Sequence, residues 1–212
     1  MSAPKTRAAT GLAEHWDGIY AVKQPGTVSW FQEQPDTSLR LLTAAGDPAL
    51  PVIDVGAGRS PLAGVLLGAS WSDVTVLDVS ARALEQIVAQ LEDYRDALTV
   101  VVADLLTWTP GRCYQTWHDR AVFHFLVDQA DRARYVATAR RALAPGGALV
   151  LGTFAPEGPT SCSGLAAARY DAAGLEQQFS PDFVLERSET EKHTTPGGTI
   201  QPFTWVVLRR TG

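Results

Sequence analysis

A glycine turn and three acids are the residues of this sequence whose types and spacing suit chemistry. Asp54-Val55-Gly56-Ala57-Gly58-Arg59-Ser60 follows directly on a short apolar run. Glycines at such a place allow a tight turn and let the backbone approach a ligand at a helix N-terminus. A dinucleotide fingerprint asks for a third small residue, but Pro61 follows Ser60 and favours the first turn of a helix instead. Asp54 is poorly placed for a pyrophosphate and suits a ligand with a cationic or amino end. Asp78 closes a second apolar run, 22 residues after Gly56, where a carboxylate can accept both hydroxyls of a ribose. Asp104 closes a third run. Each acid alone could be a helix cap. Three of them beside one glycine turn line the C-terminal crevice where open α/β sheets bind ligands.

These residues need strands to carry them. Leu50 to Val55, Val74 to Asp78 and Leu98 to Asp104 read as strands one to three, Trp117 to Phe125 contains a fourth, and Gly147 to Phe154 is a fifth. The runs are β-branched and unbroken by polar alternation, which predicts strands covered on both faces, as in a parallel sheet. Between them, Ala81 to Tyr94 carries Leu84, Ile87, Val88 and Leu91 at helical spacing behind a Ser80 cap. Asp131 to Leu143 is a second helix, stopped by Pro145-Gly146-Gly147. Alternating strands and helices imply right-handed βαβ units. After Phe154 a loop rich in Gly, Pro and Ser leads to a short helix near 171–179. Two strands follow, near 183–190 and 203–209, and the turn at Pro196-Gly197-Gly198 makes them a hairpin, so the last strand runs antiparallel.

In these features the sequence resembles the class I S-adenosylmethionine-dependent methyltransferases, from His15 onward. The family pattern is an acid and Gly-x-Gly after strand one, an acid ending strand two and an acid after strand three. Here these are Asp54 to Gly58, Asp78 and Asp104, while Pro145-Gly146-Gly147 matches the family's motif before strand five. Gln115 departs from the pattern, standing where many members carry Asp. The resemblance implies an α/β, Rossmann-like, doubly wound sheet of seven strands, mostly parallel with an antiparallel last strand. It implies S-adenosylmethionine as cofactor and S-adenosylhomocysteine as product. Gly56 and Gly58 would approach the methionine part together with Asp54, Asp78 the ribose, and Asp104 the adenine amino group.

Topology also predicts an acceptor side. The ends of strands four and five lie on the cofactor's side of the sheet, so Asp119, Arg120, Phe123 and His124 should border it. His124 and Asp119 are the candidate bases, with His193 and His118 behind them. His118 reads first as a core residue. Arg120 either pairs with Asp119 or binds an acidic substrate. Residues 155–169, including Cys162, should cover the site, and the segment 192–201 with His193 should wall it. Residues 1–48 are expected to form an N-terminal lid over a core of 49–212, all in one domain. Trp30 would contact substrate, and Trp16 and Trp30 serve either as packing or as an aromatic enclosure for the sulfonium.

Composition narrows the class further. Apolar residues make up 45% and charged residues 19% of the 212, which suits a globular chain and not a disordered one. The net charge of −5 argues against a nucleic-acid partner. Arg132, Arg134, Arg140 and Arg141 read as the wet face of a helix. No apolar run approaches the roughly 20 residues of a membrane span, and Met1 to Arg7 is followed by no apolar signal core. Two cysteines give no disulfide framework and no four-ligand zinc site, and no His/Asp/Glu spacing suggests a metal. The expected protein is a cytoplasmic enzyme that methylates a small-molecule acceptor by in-line displacement. A protein (lysine) methyltransferase and a non-catalytic cofactor-binding module are the alternatives. A nicotinamide oxidoreductase is disfavoured by Pro61 and Asp104.

Overall fold

The computed structural model describes residues 11–212; Met1 to Arg7, read above for a signal sequence, and the first ten residues of the expected lid lie outside them. Chain order begins with α1 (Leu12–Val22) and α2 (Asp36–Ala45). It continues through β1 (Val52–Val55), α3 (Leu62–Gly68), β2 (Val74–Asp78), α4 (Ala81–Gln90), β3 (Leu98–Val102) and β4 (Tyr114–Arg120). Then come α5 (Gln129–Ala142), β5 (Leu143–Phe154), β6 (Ser161–Cys162), β7 (Leu165–Ala166), α6 (Ala172–Phe179), β8 (Phe183–Thr194) and β9 (Ile200–Arg210). Seven strands form one sheet in the order β3-β2-β1-β4-β5-β9-β8, with β9 antiparallel to both neighbours. The doubly wound sheet with its antiparallel last strand is therefore as expected.

Two apolar cores sandwich this sheet. One packs Leu41 and Leu42 of α2, Leu62 and Leu66 of α3 and Ile87 of α4 against one face. The other packs Tyr135 and Ala139 of α5 and Phe179 of α6 against the opposite face. Gly152 opposes Trp205 across β5 and β9, and a Cβ there would lie 2.8 Å from the indole, so glycine makes room for the largest side chain of the core. Chain direction reverses its march at β1 and β4, which are neighbours although three crossovers separate them. That switch point opens the crevice at the C-terminal edge.

Several sequence boundaries need correction. β3 is the sheet's edge strand, and Val100 and Val102 are 38% and 55% exposed, so the expectation of cover on both faces fails there. Val88 is likewise exposed, and α4 ends at Gln90, short of the expected Tyr94. β4 starts at Tyr114 and stops at Arg120, because the Asp119 carboxylate takes the N–H groups of Val122 and Phe123 and turns the chain out of the strand. β5 begins at Leu143, before the expected Gly147. Its ladder to β4 jumps from Tyr114↔Leu143 to Thr116↔Ala148, and Pro145-Gly146-Gly147 fills the irregularity. The closing hairpin is longer than expected and pairs out to Thr194↔Ile200. α2 packs into the main core with Ser38 at the crevice floor, and among the described residues of the expected lid α1 and the segment after it lie over the crevice. The four arginines of α5 sit as expected on its wet side, with Arg134 bonded to Asp131, Arg140 to Asp182 and Arg132 to Gln178.

Candidate active site

The turn after β1 is built around two left-handed glycines. Gly56 has φ +64° and a Cβ on it would lie 2.0 Å from Val122 Cγ2, while Gly58 has φ +53° and a Cβ would lie 2.4 Å from the Tyr20 hydroxyl. The turn is thus packed between the loop after β4 and helix α1. Arg59 fastens α1 to it by donating to the carbonyls of Tyr20 and Lys23, with its guanidinium 5.0 Å from the Tyr20 ring centre. A cation at the C-terminal end of a helix is favourably placed. Asp17 of the same helix lies 2.5 Å from Ser80, the cap of α4.

Asp78 organises the side of the cavity at the end of β2. Its Oδ2 accepts the Gly58 N–H at 2.8 Å and its Oδ1 the Ser80 N–H at 2.8 Å. A carboxylate offers about four acceptor positions, so both oxygens retain capacity toward the cavity that Asp78 lines. Burial pushes its carboxyl up to about 6 despite the two N–H donors. Asp104 lines the same cavity and its Oδ1 accepts the Leu106 N–H, so it serves as a turn acceptor and a cavity residue at once. Leu77, Ala103, Leu105 and Leu106 supply an apolar slot between the two acids.

The cavity has two chambers that share Tyr20, Trp30, Gly56 and Arg120 in their walls. The first holds Asp78 and Asp104 and is covered by Leu12 and Trp16 of α1 and by Cys162, Leu165 and Ala166 of the β6–β7 hairpin. Trp16 stands edge-on to Trp30 at 5.8 Å and to Phe125 at 5.5 Å, forming one aromatic wall. The second chamber lies along Gly56 to Pro61 and is floored by Asp54, His118 and Ser38. There His118 Nδ1 is 2.6 Å from Asp54 Oδ1, and Nε2 is 2.9 Å from Ser38 Oγ.

Residues 52–147 match the family model of a methyltransferase domain. The match spans β1 to the irregular start of β5, and the fold of the whole chain is similar to that of S-adenosylmethionine-dependent methyltransferases. The chain is similar over nearly its full length to several solved structures. A S-adenosylmethionine-dependent methyltransferase from Anabaena variabilis ATCC 29413 is 19% identical with a TM-score of 0.76, covering 99% of this chain and 98% of that one. A 1,6-didemethyltoxoflavin-N1-methyltransferase from Burkholderia thailandensis is 17% identical with a TM-score of 0.76, covering 100% and 94%. The N-methyltransferase NodS from Bradyrhizobium japonicum WM9, solved with S-adenosylhomocysteine, is 16% identical with a TM-score of 0.70, covering 94% and 98%. At these identities the structures share its fold. No curated protein matches the chain in sequence.

The two leading candidate bases, His124 and Asp119, do not line either chamber. His124 is fully buried, lies between the rings of Phe125 and Phe154 at 4.4 and 4.5 Å, and is absent from the cavity lining. Neither ring nitrogen has a partner, and burial with the nearby Arg120 charge pushes its pKa down to about 3. Asp119 is also fully buried and accepts the Tyr135 hydroxyl at 2.6 Å besides the two turn N–H groups, which makes it a structural acceptor. Its carboxyl is pushed up to about 6 by burial. The alternative Asp119–Arg120 ion pair does not form. His193 is buried beside Phe203, outside the lining of both chambers, and contacts the Ser29 carbonyl at 2.7 Å, so it positions the segment before Trp30.

Asp54, Gly56, Gly58, Asp78, Asp104, Trp30 and Arg120 do converge on the two chambers. Ser38 has no place in the sequence reading, and His118, read first as a core residue and only behind the other bases, lines the second chamber. The signal for His118 was available, since β1 and β4 are adjacent and the register Asp54↔His118 puts both side chains on one face. Ser38 arrives from α2 with no local motif to announce it.

Proposed function

We propose that the protein methylates a small-molecule acceptor inside the first chamber, with S-adenosylmethionine bound across both. The observation that carries this reading is the apolar, aromatic space between Trp16, Trp30, Phe125 and the β6–β7 hairpin, beside a polar nucleoside cradle. The residues present suit that cofactor. Asp78 would take the ribose hydroxyls and the slot between Leu77 and Leu106 the adenine, with Asp104 at its amino edge. The glycine turn would take the methionine end, and Asp54 its amino group. When bound, the cofactor supplies an electrophilic methyl group on a cationic sulfur.

The protein's own contribution is alignment and exclusion of water, which can account for much of the acceleration of such a transfer. Helix α1 and the β6–β7 hairpin act as covers, and the aromatic faces of Trp16, Trp30 and Phe125 favour a cation beside them. With His124 and Asp119 withdrawn from the cavity, no protein base is required in this scheme. The turn Phe123-His124-Phe125-Leu126 shows the chamber only Phe125 and Leu126, so nothing polar there would receive a protein lysine. The solved relative named for 1,6-didemethyltoxoflavin was crystallised with that small molecule and S-adenosylhomocysteine, which supports the same class of acceptor here.

Among the described residues no helix is long and apolar enough to cross a membrane, and we place the enzyme in the cytoplasm. The test is transfer of label from methyl-labelled S-adenosylmethionine. A panel of thiols, phenols, amines and carboxylic acids is assayed beside a mixed protein substrate. Label in small molecules is expected, and label in protein alone would contradict the proposal.

A further inference from the structure

Among the described residues of the chamber walls, Arg120 leaves a whole edge of its side chain unbonded, where Arg59 leaves only Nε. The Nη1 of Arg120 donates to the Trp30 carbonyl at 2.9 Å, and its guanidinium stacks 4.8 Å from the Phe203 ring centre. Those two contacts fix the plane of the group. Nε and Nη2 are both buried and have no partner. These two nitrogens form one edge of the guanidinium, the edge that grips a carboxylate with two parallel N–H···O bonds. Glu191, the carboxylate that acts on Arg120 at longer range, is committed elsewhere: Oε1 accepts from Gln32 and Oε2 from Trp205. Burial lowers the guanidinium pKa only to about 10, so the group is a cation at neutral pH.

Its place in the sheet says which ligand would meet it. At the C-terminal edge the order is Asp104 and Asp78 at β3 and β2, then Gly56 at β1, then Arg120 at β4. Arg120 is thus across the glycine turn from the nucleoside cradle, on the side of Trp30, Phe125 and Cys162. A buried cation with two open donors is costly without a counter-charge, and the donor's reacting centre, itself cationic, supplies none.

We infer that the acceptor carries an anionic group, a carboxylate or a comparable oxyanion, gripped by the Nε–Nη2 edge of Arg120 while its apolar body lies against Trp30 and Phe125. The inference rests on the methyltransferase reading above and deepens it.

The test uses benzoate and its neutral counterpart benzamide as probes, titrated into the full-length protein with and without saturating S-adenosylhomocysteine. Benzoate is expected to bind the S-adenosylhomocysteine-loaded protein about tenfold tighter than benzamide, as a charge-assisted pair implies. Arg120→Met should abolish that preference while holding S-adenosylhomocysteine affinity within about threefold, which also shows that the variant is folded. Arg120→Lys, with the charge but not the fork, should keep part of the preference. Equal binding of the two probes, or binding of neither to the loaded protein, overturns the inference. So does competition of benzoate with S-adenosylhomocysteine together with a tenfold loss of its affinity in Arg120→Met, which assigns the edge to the cofactor's own carboxylate. Failure of the wild-type protein to bind S-adenosylhomocysteine brings down the methyltransferase reading, and the inference with it.

Discussion

The two sides of the glycine turn differ in how their polar atoms are satisfied. Toward β2 and β3, Asp78 accepts from Gly58 and Ser80, and Asp104 accepts from Leu106, so the acids are locked to the backbone that carries them. Toward β4, Arg120 leaves two nitrogens open and His124 leaves both. The side proposed for the nucleoside is held in shape before any ligand arrives. The side proposed for the acceptor keeps unfinished polar groups in a low-dielectric wall, where an unmade hydrogen bond costs about 1–3 kcal/mol. Arg120 borders the chambers and can recover that cost on a ligand. His124 does not border them, and its cost is borne by the fold.

The sharpest way to break this contrast is Asp78→Ala. It removes the ribose acceptor and the tie to Gly58 together, and two hydrogen bonds to a charged group predict a loss of about a hundredfold in S-adenosylhomocysteine affinity by calorimetry. An affinity within threefold of wild type would mean that Asp78 does not hold the ribose. Acidity probes the same group more gently. With the Asp78 carboxyl raised to about 6, the accepting, ionised form is lost as pH falls through that value. Binding should weaken about tenfold between pH 7.5 and pH 5, and Asp78→Asn should flatten the profile. A profile that Asp78→Asn leaves unchanged would assign the effect to another group.

Gly56→Ala tests whether the turn and the loop after β4 are packed as one unit. The new methyl meets Val122 and must adopt positive φ, so about 1–2 kcal/mol of stability should be lost. Val122→Ala in the same chain should restore part of it in denaturant melts, and full additivity of the two changes would contradict the contact. The smallest effect is expected at His124. His124→Phe removes two orphaned nitrogens and should raise stability by about 1 kcal/mol at pH 7. Because the folded state depresses this pKa from 6.5 to about 3, the folded protein binds fewer protons there than the unfolded chain across that window. Its contribution is therefore present above 6.5 and lost as pH falls toward 3, so the advantage of the variant over wild type should grow steadily as pH falls from 6.5 toward 3. Turnover lost with the fold intact would instead return His124 to the chemistry.

What the sequence made legible follows the same divide. Asp54, Gly56, Gly58, Asp78 and Asp104 stand at strand ends beside a glycine turn, a pattern with local spacing that survives without a structure. The acceptor side has no such spacing. Asp119 and His124 had suitable types and a correct approximate place, but one turn of backbone decides whether a side chain faces a cavity or a core. Here the carboxylate of Asp119 is consumed in making that turn. Topology assigns His193 to a wall, yet the imidazole is buried against Phe203 and the Ser29 carbonyl, outside the lining of both chambers. Ser38 reaches His118 only through the packing of α2, a contact 80 residues apart in the chain. The exposed edge of β3 was hidden for a related reason, since an apolar run does not reveal which strand has a neighbour on one side only.

The most direct test of the account is a calorimetric titration of the wild-type protein with S-adenosylhomocysteine beside NADH. The cradle of Asp78, Asp104 and the glycine turn predicts saturable binding of S-adenosylhomocysteine near one site per chain and no binding of NADH. Binding of NADH alone, or of neither ligand by a demonstrably folded sample, would contradict it.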